Sequence, residues 1–400
     1  MDTPPRLAVG ILAFGLVAVA CGSLSTPAPG SSARAAPAAP NVSSCPDLAY
    51  ALAGYGLGAQ AALPTGATPA PSLLPQLGVN TTDVLIYRLP IPPIAGRTAS
   101  IDVMEIDQTA HRLYVADRTD NGIDVFDVST ACPKYLKTMD TGSGPNGVVV
   151  AKNVNKLFAG LNDSSVAIID IAPGSPNADT VLAKVTTGGQ KRADELDYDP
   201  TDRKIYIANS DDGIVTVIDA STNAIIRRFD NMGDGLEQPR YNRADGMMYL
   251  TSSAQNAIFK FDPRGDVLVK KFDIGQKCDP NGIAINPTTN QAVLGCSSRS
   301  ANVIVVWDLP AGRVLATFDE AGAADAVLYS AKMDRFFVAA SNFNRGAVMS
   351  IFSGNPVTFL TNVPTAVGSH GVAYDETNNL IYTQDQNPNE GALFTFPPPR

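Results

Sequence analysis

Seven polar residues fall along this chain at nearly constant intervals: Asp102, Asn146, Asp194, Glu237, Asn281, Asp325 and His370, separated by 44, 48, 43, 44, 44 and 45 residues. Four are acids, two are carboxamides and one is an imidazole. If the fold gathers them, the four carboxylates repel one another unless a cation, a proton or a basic ligand group compensates them. Carboxylate and amide oxygens are the ligand set of Ca2+ or Mg2+. On that reading six of the residues hold a ligand or metal, and His370 is the catalytic base beside it. The same residue types also suit a water-filled channel mouth, where acids on separate elements are far enough apart to be screened. Both readings depend on convergence, and convergence depends on the elements that carry these residues.

Twelve residues after each of them lies a large apolar residue: Tyr114, Phe158, Tyr206, Tyr249, Val293, Phe337 and Tyr382. Each sits in a strand-like run, as in His111–Asp117 (HRLYVAD) or Lys204–Asn209 (KIYIAN). A further run of β-branched and aromatic residues follows some nine residues later: 123–128, 166–171, 214–219, 257–262, 303–308, 347–352 and 392–396. Gly, Asn, Asp and Ser bound these runs, as they bound strands joined by tight turns. A third strand follows in most units, and one precedes each marker, giving four strands in about 44 residues. The spacing predicts an all-β, seven-bladed propeller of four-stranded antiparallel blades. Innermost strands start at the top face, so the seven polar residues ring the channel mouth. The last unit has three strands, and the strand-like Asp83–Leu89 is expected to complete that blade and close the ring.

Leu113–Asp117 with Ile123–Asp127, and Ile205–Asn209 with Val217–Asp219, are similar to the repeats of YVTN-type β-propellers over roughly residues 83–400. That resemblance implies the fold and carries little chemistry. The Pro145-Asn146-Gly147 and Pro280-Asn281-Gly282 turns resemble those of six-bladed gluconolactonase and paraoxonase-like lactonases. Those enzymes hold a cation with a Glu, Asn and Asp set, which matches Glu237, Asn281, Asn146 and Asp102 in type.

The leading segment has its own pattern. An apolar run, Leu7–Ala20, ends in Ala18-Val19-Ala20-Cys21, which resembles a bacterial lipobox with Cys21 as the lipidated residue. Residues 1–20 read as a signal peptide and 21–44, rich in Ala, Pro and Ser, as a disordered tether. Residues 45–82 are expected to pack under the ring, with Asp47–Leu63 as a short helix. Cys45, Cys132, Cys278 and Cys296 remain, an even number suited to two disulfides in an exported chain. Strand geometry pairs Cys278 with Cys296 and Cys45 with Cys132. The expected location is the bacterial cell envelope, periplasmic or cell-surface, with plain secretion as the alternative.

The net charge of -9 excludes nucleic acid as a partner. The chain contains no haem motif, no nucleophile elbow and no phosphate-binding loop, and only two histidines, so multi-imidazole zinc or copper chemistry is out. Asp127, Asp170, Asp219, Asp262 and Asp308 recur at strand ends, where a carboxylate caps the following turn. Trp307 reads as packing, and His111 as an exposed turn residue. The 173–179 insertion is the longest loop, and loops of this kind can carry specificity. The expectation is an exported, lipid-anchored propeller whose channel mouth binds a ligand or a protein partner. A Ca2+- or Mg2+-dependent lactonase or lyase, and a purely structural interaction module, stay open beside it.

Overall fold

A β-strand needs a cover for its apolar face and partners for its edge groups, and stacking sheets around an axis supplies both. The computed structural model describes residues 49–52, 85–91, 99–297, 301–343, 346–366, 368–386 and 391–399. The repeats form seven antiparallel sheets, six of four strands and one of five. Blade 1 runs outward through Ile101–Asp107, Arg112–Asp117, Gly122–Asp127 and Lys134–Asp140. The next inner strands are Pro145–Ala151, Leu196–Asp199, Leu236–Asn242, Pro280–Asn286, Ala324–Ser330 and Ala373–Asp375. Helix among the described residues amounts to one 3-10 turn, Lys152–Val154, and none is long and apolar enough to cross a membrane.

The closing blade borrows its outer strand from the front of the chain. Leu85–Pro90 pairs antiparallel with Ala392–Phe396, placing Tyr87 opposite Thr395. Ala49–Leu52 then adds a fifth strand on the far edge of Leu85–Pro90. These four residues are strand where a short helix was expected, because an outer strand's free edge offers N–H and C=O groups to any chain passing beside it. The rest of the 45–82 segment and its expected packing under the ring lie outside the described residues. So do the signal peptide, the tether, Cys21 and Cys45.

The seven marker residues are the centres of the packing, each at most 1% exposed. Every main apolar cluster is shared by two neighbouring blades, such as Tyr114 and Val125 with Leu157 and Ile169, or Ile101 and Leu113 with Tyr382 and Leu393. The period in the sequence is therefore the period of interfaces between sheets. Basic residues that start second strands reinforce them from below. Arg112 reaches Asp179 at 2.7 Å, Lys156 reaches the Ala220 carbonyl at 2.8 Å, and Lys204 reaches Asp266 at 2.7 Å, each in the following blade. Asp179 gives part of the long 173–179 insertion a structural task. The recurrent acids cap their turns as expected, with Asp127, Asp170, Asp219, Asp262 and Asp308 each accepting a backbone N–H at 2.8–3.0 Å. Trp307 is buried edge-on against Phe272, and His111 is half-buried in a left-handed turn conformation, φ 53.

Cys278 and Cys296 are bonded, with Cα atoms 4.6 Å apart, tying the entry of one inner strand to the end of its neighbour. Cys132 is also disulfide-bonded, and its expected partner Cys45 lies outside the described residues.

Candidate channel-mouth site

Inner strands begin with a β-bulge. In blade 3 the Asp194 N–H donates to the Ala208 carbonyl at 2.8 Å, while the Ala208 N–H donates to the Glu195 carbonyl at 3.0 Å. Register shifts mark the same place in five other blades. A bulge turns two successive side chains toward one side, so where the residue after a ring position carries a side chain it too can face the axis. Glu195 and Gln238 enter the channel in this way, which strand alternation alone does not predict.

Asp102, Asp194, Glu237, Asn281, Asp325 and His370 line one cavity of about 580 Å3 at the channel mouth. Asn146, fully buried, stands behind it. Its Oδ1 accepts from Arg118 Nε at 2.7 Å and its Nδ2 donates to the Ala193 carbonyl at 2.9 Å. The ring positions therefore converge, and the cavity adds two guanidinium groups that the ring count missed. Arg118 forms an ion pair with Asp102. Arg192 pairs with Asp194 at 2.9 Å and approaches Asp211 at 4.0 Å.

A second ring explains part of this. Sixteen residues after each ring position stand Arg118, Asn162, Ser210, Ser253, Ser297, Ser341 and Gln386, at the ends of the second strands. Several touch the ring residue of their own blade: Arg118 touches Asp102, the Ser253 hydroxyl donates to Glu237 Oε1 at 2.6 Å, and Gln386 Nε2 lies 3.1 Å from His370 Nδ1. The signal was available in the sequence, since second strands end on the face where inner strands begin. Arg192 follows no such count.

His370 is engaged at both ring nitrogens. Nδ1 lies 2.6 Å from the Gly368 carbonyl and 3.1 Å from Gln386 Nε2, and Nε2 lies 3.1 Å from Asp102 Oδ1. With both nitrogens already facing protein groups, the imidazole positions Asp102. Glu237 and Asp325 differ from the paired acids. Burial pushes the Glu237 carboxyl up to about 8, with the Asp325 and Asp194 charges adding and the Ser253 hydroxyl opposing. Asp325 makes no side-chain hydrogen bond or ion pair among the described residues. Burial also raises Asp194, against the pull of Arg192 and Arg118.

Below the mouth lies a second cavity of about 450 Å3, lined by apolar inner-strand residues with Glu105, Asp197, Arg240 and Arg243. Its polar side chains serve the backbone of the next blade. Glu105 accepts the Val150 N–H, Asp197 Oδ2 the Tyr241 N–H at 2.7 Å, and Gln238 Oε1 the Ile283 N–H at 3.2 Å. These N–H groups belong to sheet edges that would otherwise go unpaired. Burial pushes Glu105 and Glu195 up to about 8 and raises Asp197, and the Arg240 charge opposes all three. These side chains face the channel yet are walled by protein, which is why so much hydration is lost.

The donor set does not fit the lactonase pattern. Asp102 and Asn146 turn oxygens toward the one Arg118 guanidinium, so a metal ion there would sit beside a fixed cation. Among described His, Cys, Asp and Glu side chains, the single group of three or more with ligand atoms mutually within 4.8 Å is elsewhere, on blade 1. The Pro-Asn-Gly turns have a packing explanation too. A Cβ on Gly147 would lie 2.7 Å from the Asp194 carbonyl, and one on Gly282 would overlap the Asp325 carbonyl. Glycine there lets the next blade's ring residue approach.

No family model matches the chain. A curated protein similar over part of it is the histone acetyltransferase type B subunit 2 of Candida albicans, 22% identical over 110 residues. The match covers 27% of this chain and 29% of that protein, so it spans less than a third of the relative's length. What the residues establish together is a seven-bladed β-propeller, a fold that commonly binds partners, with an acid-rich mouth to its channel.

Proposed function

We propose that the channel mouth binds a cationic group, an ammonium or guanidinium carried by a small molecule or by a partner's side chain. The observation that carries this reading is the pair Glu237 and Asp325. They face a cavity of ligand size, and neither forms an ion pair with a cation of the protein among the described residues, while both mouth arginines are paired with other acids. An incoming cation would relieve their repulsion and hold Glu237 ionised.

Spermidine is the probe, titrated calorimetrically at low salt. One saturable site, weakened at least tenfold in Glu237→Gln, supports the reading. No heat of binding, or an unchanged Glu237→Gln variant, contradicts it. Lactone turnover that requires Ca2+ and vanishes in Glu237→Gln would favour the hydrolase instead.

The same proposal includes a YVTN-type repeat protein displayed at a bacterial cell envelope. Leu7–Ala20 and Cys21 support an exported lipoprotein, and the Cys278–Cys296 disulfide suits an oxidising compartment. Labelled fatty acid should be incorporated by the full chain and lost in Cys21→Ala. Labelling that survives the substitution would remove the anchor from the account.

A further inference from the structure

The hairpin between the second and third strands of blade 1 carries three acids, Asp117, Asp120 and Asp124, whose carboxylate oxygens lie within 4.8 Å of one another. Asp117 and Asp124 are 2% and 1% exposed, and Asp120 is half-exposed. Asp124 Oδ2 and Asp120 Oδ1 are both buried without a hydrogen-bond partner among the described residues. No lysine or arginine among the described residues forms an ion pair with any of the three, and Arg118, between them in sequence, turns away to Asp102.

The other blades show what this hairpin needs for folding alone. At the position of Asp124 they carry Ala167, Thr216, Phe259, Val305, Ser350 and Phe394, none of them acidic. In blade 3 the matching residues are Asn209, Asp212 and Thr216, and the one carboxylate is satisfied by the Gln190 and Lys191 N–H groups at 2.9 and 2.7 Å. Blade 1 has instead two extra buried carboxylates and two oxygens aimed at nothing. Burying such groups unpaired costs several kcal/mol each, which no packing need of the blade explains.

We propose that Asp117, Asp120 and Asp124 bind a divalent cation of the Ca2+ type. Two oxygens that share a Ca2+ at about 2.4 Å can stand at most about 5 Å apart, so the observed spacing lies in range. Supporting contacts hold the ligands in place. The Thr138 hydroxyl donates to Asp124 Oδ1 at 2.6 Å and is itself 2.7 Å from the Tyr135 hydroxyl, while Asp117 Oδ1 accepts the Thr119 N–H at 2.7 Å. Such second contacts orient carboxylates around a metal. The half-exposed Asp120 leaves a route for the ion and for the waters that complete its shell.

The test uses the full chain, freed of metal by chelation, with Ca2+ and Tb3+ as probes. Ca2+ should raise the melting temperature by several degrees, and Tb3+ should luminesce on excitation of Tyr135. Both responses should weaken at least tenfold in Asp124→Asn and Asp120→Asn, and persist in the channel-mouth variant Asp325→Asn. Asp120 is half-exposed, so its variant reports even if Asp124→Asn folds poorly. No response up to about 10 mM Ca2+, ten times the range of weak extracellular sites, would overturn the proposal. So would a response that survives in both hairpin variants.

Discussion

The two ends of the channel are built from the same seven strands, yet they hold acids for different reasons. Lower down, Glu105 and Asp197 accept backbone N–H groups from the next blade, and Arg240 balances them. At the mouth, Asp102, Asp194 and Glu195 have arginine partners, Glu195 through Arg240 reaching up from below at 3.8 Å, but Glu237 has only the Ser253 hydroxyl and Asp325 has no side-chain partner among the described residues. Counting acids would treat the two ends alike. Accounting for each acid's partner separates a structural end from a recognition end, because an uncompensated carboxylate in a cavity is poised for something outside the chain.

The contrast can be broken most forcefully from below. At about pH 8.5, where Glu105 and Glu195 ionise, Arg240→Met should lower unfolding stability by about 3 kcal/mol, since three walled-in carboxylates then lose their cation. Spermidine binding should not weaken, because Glu195, which lines the mouth, loses a competing cation. Urea unfolding and calorimetry on the same preparation read both quantities, and lost affinity without lost stability would reverse the assignment of the two ends. Arg118→Met should be milder, about 2 kcal/mol, because Arg118 and Asp102 keep some solvent contact. It should also tighten spermidine binding by removing a positive charge from the mouth. Asp325→Asn should do the opposite, weakening spermidine at least tenfold while leaving stability unchanged or slightly higher.

The smallest effect is a pair of opposed pH trends. Glu105, Glu195 and Glu237 have folded values near 8, above their ordinary 4.5. Between those limits the folded protein binds protons that the unfolded chain has released, so stability falls as pH rises through the window. The melting temperature should drop by a few degrees from about pH 5 to about pH 8.5. Spermidine affinity should climb over the upper part of that range as Glu237 ionises, and Glu237→Gln should flatten the climb. A melting temperature that rises with pH would show that these carboxyls are not held protonated.

Much of this was legible in the sequence because the repeat is a repeat of contacts. Tyr114 to Tyr382 mark interfaces between blades, so their spacing counted blades, and twelve residues back from each lay the channel mouth. The partners of the ring were less legible. Arg118 obeys the same periodicity at a different offset, whereas Arg192 is a single departure from the repeat. Glu195 and Gln238 reach the axis through a bulge, which leaves no mark on an alternating pattern. The Pro-Asn-Gly turns were read as ligand-bearing because their packing reason, the carbonyl of the next blade, lies far away in sequence. The Ala49–Leu52 strand was missed because a weakly patterned segment takes its structure from the edge it meets.

The most direct test sets three proteins side by side: the original chain, Asp325→Asn and Arg240→Met, each titrated with spermidine at about pH 8, where Glu237 is half ionised. The account predicts a single site in the original, at least tenfold weaker in Asp325→Asn and no weaker in Arg240→Met. Equal affinity in all three, or equal loss in both variants, would contradict it.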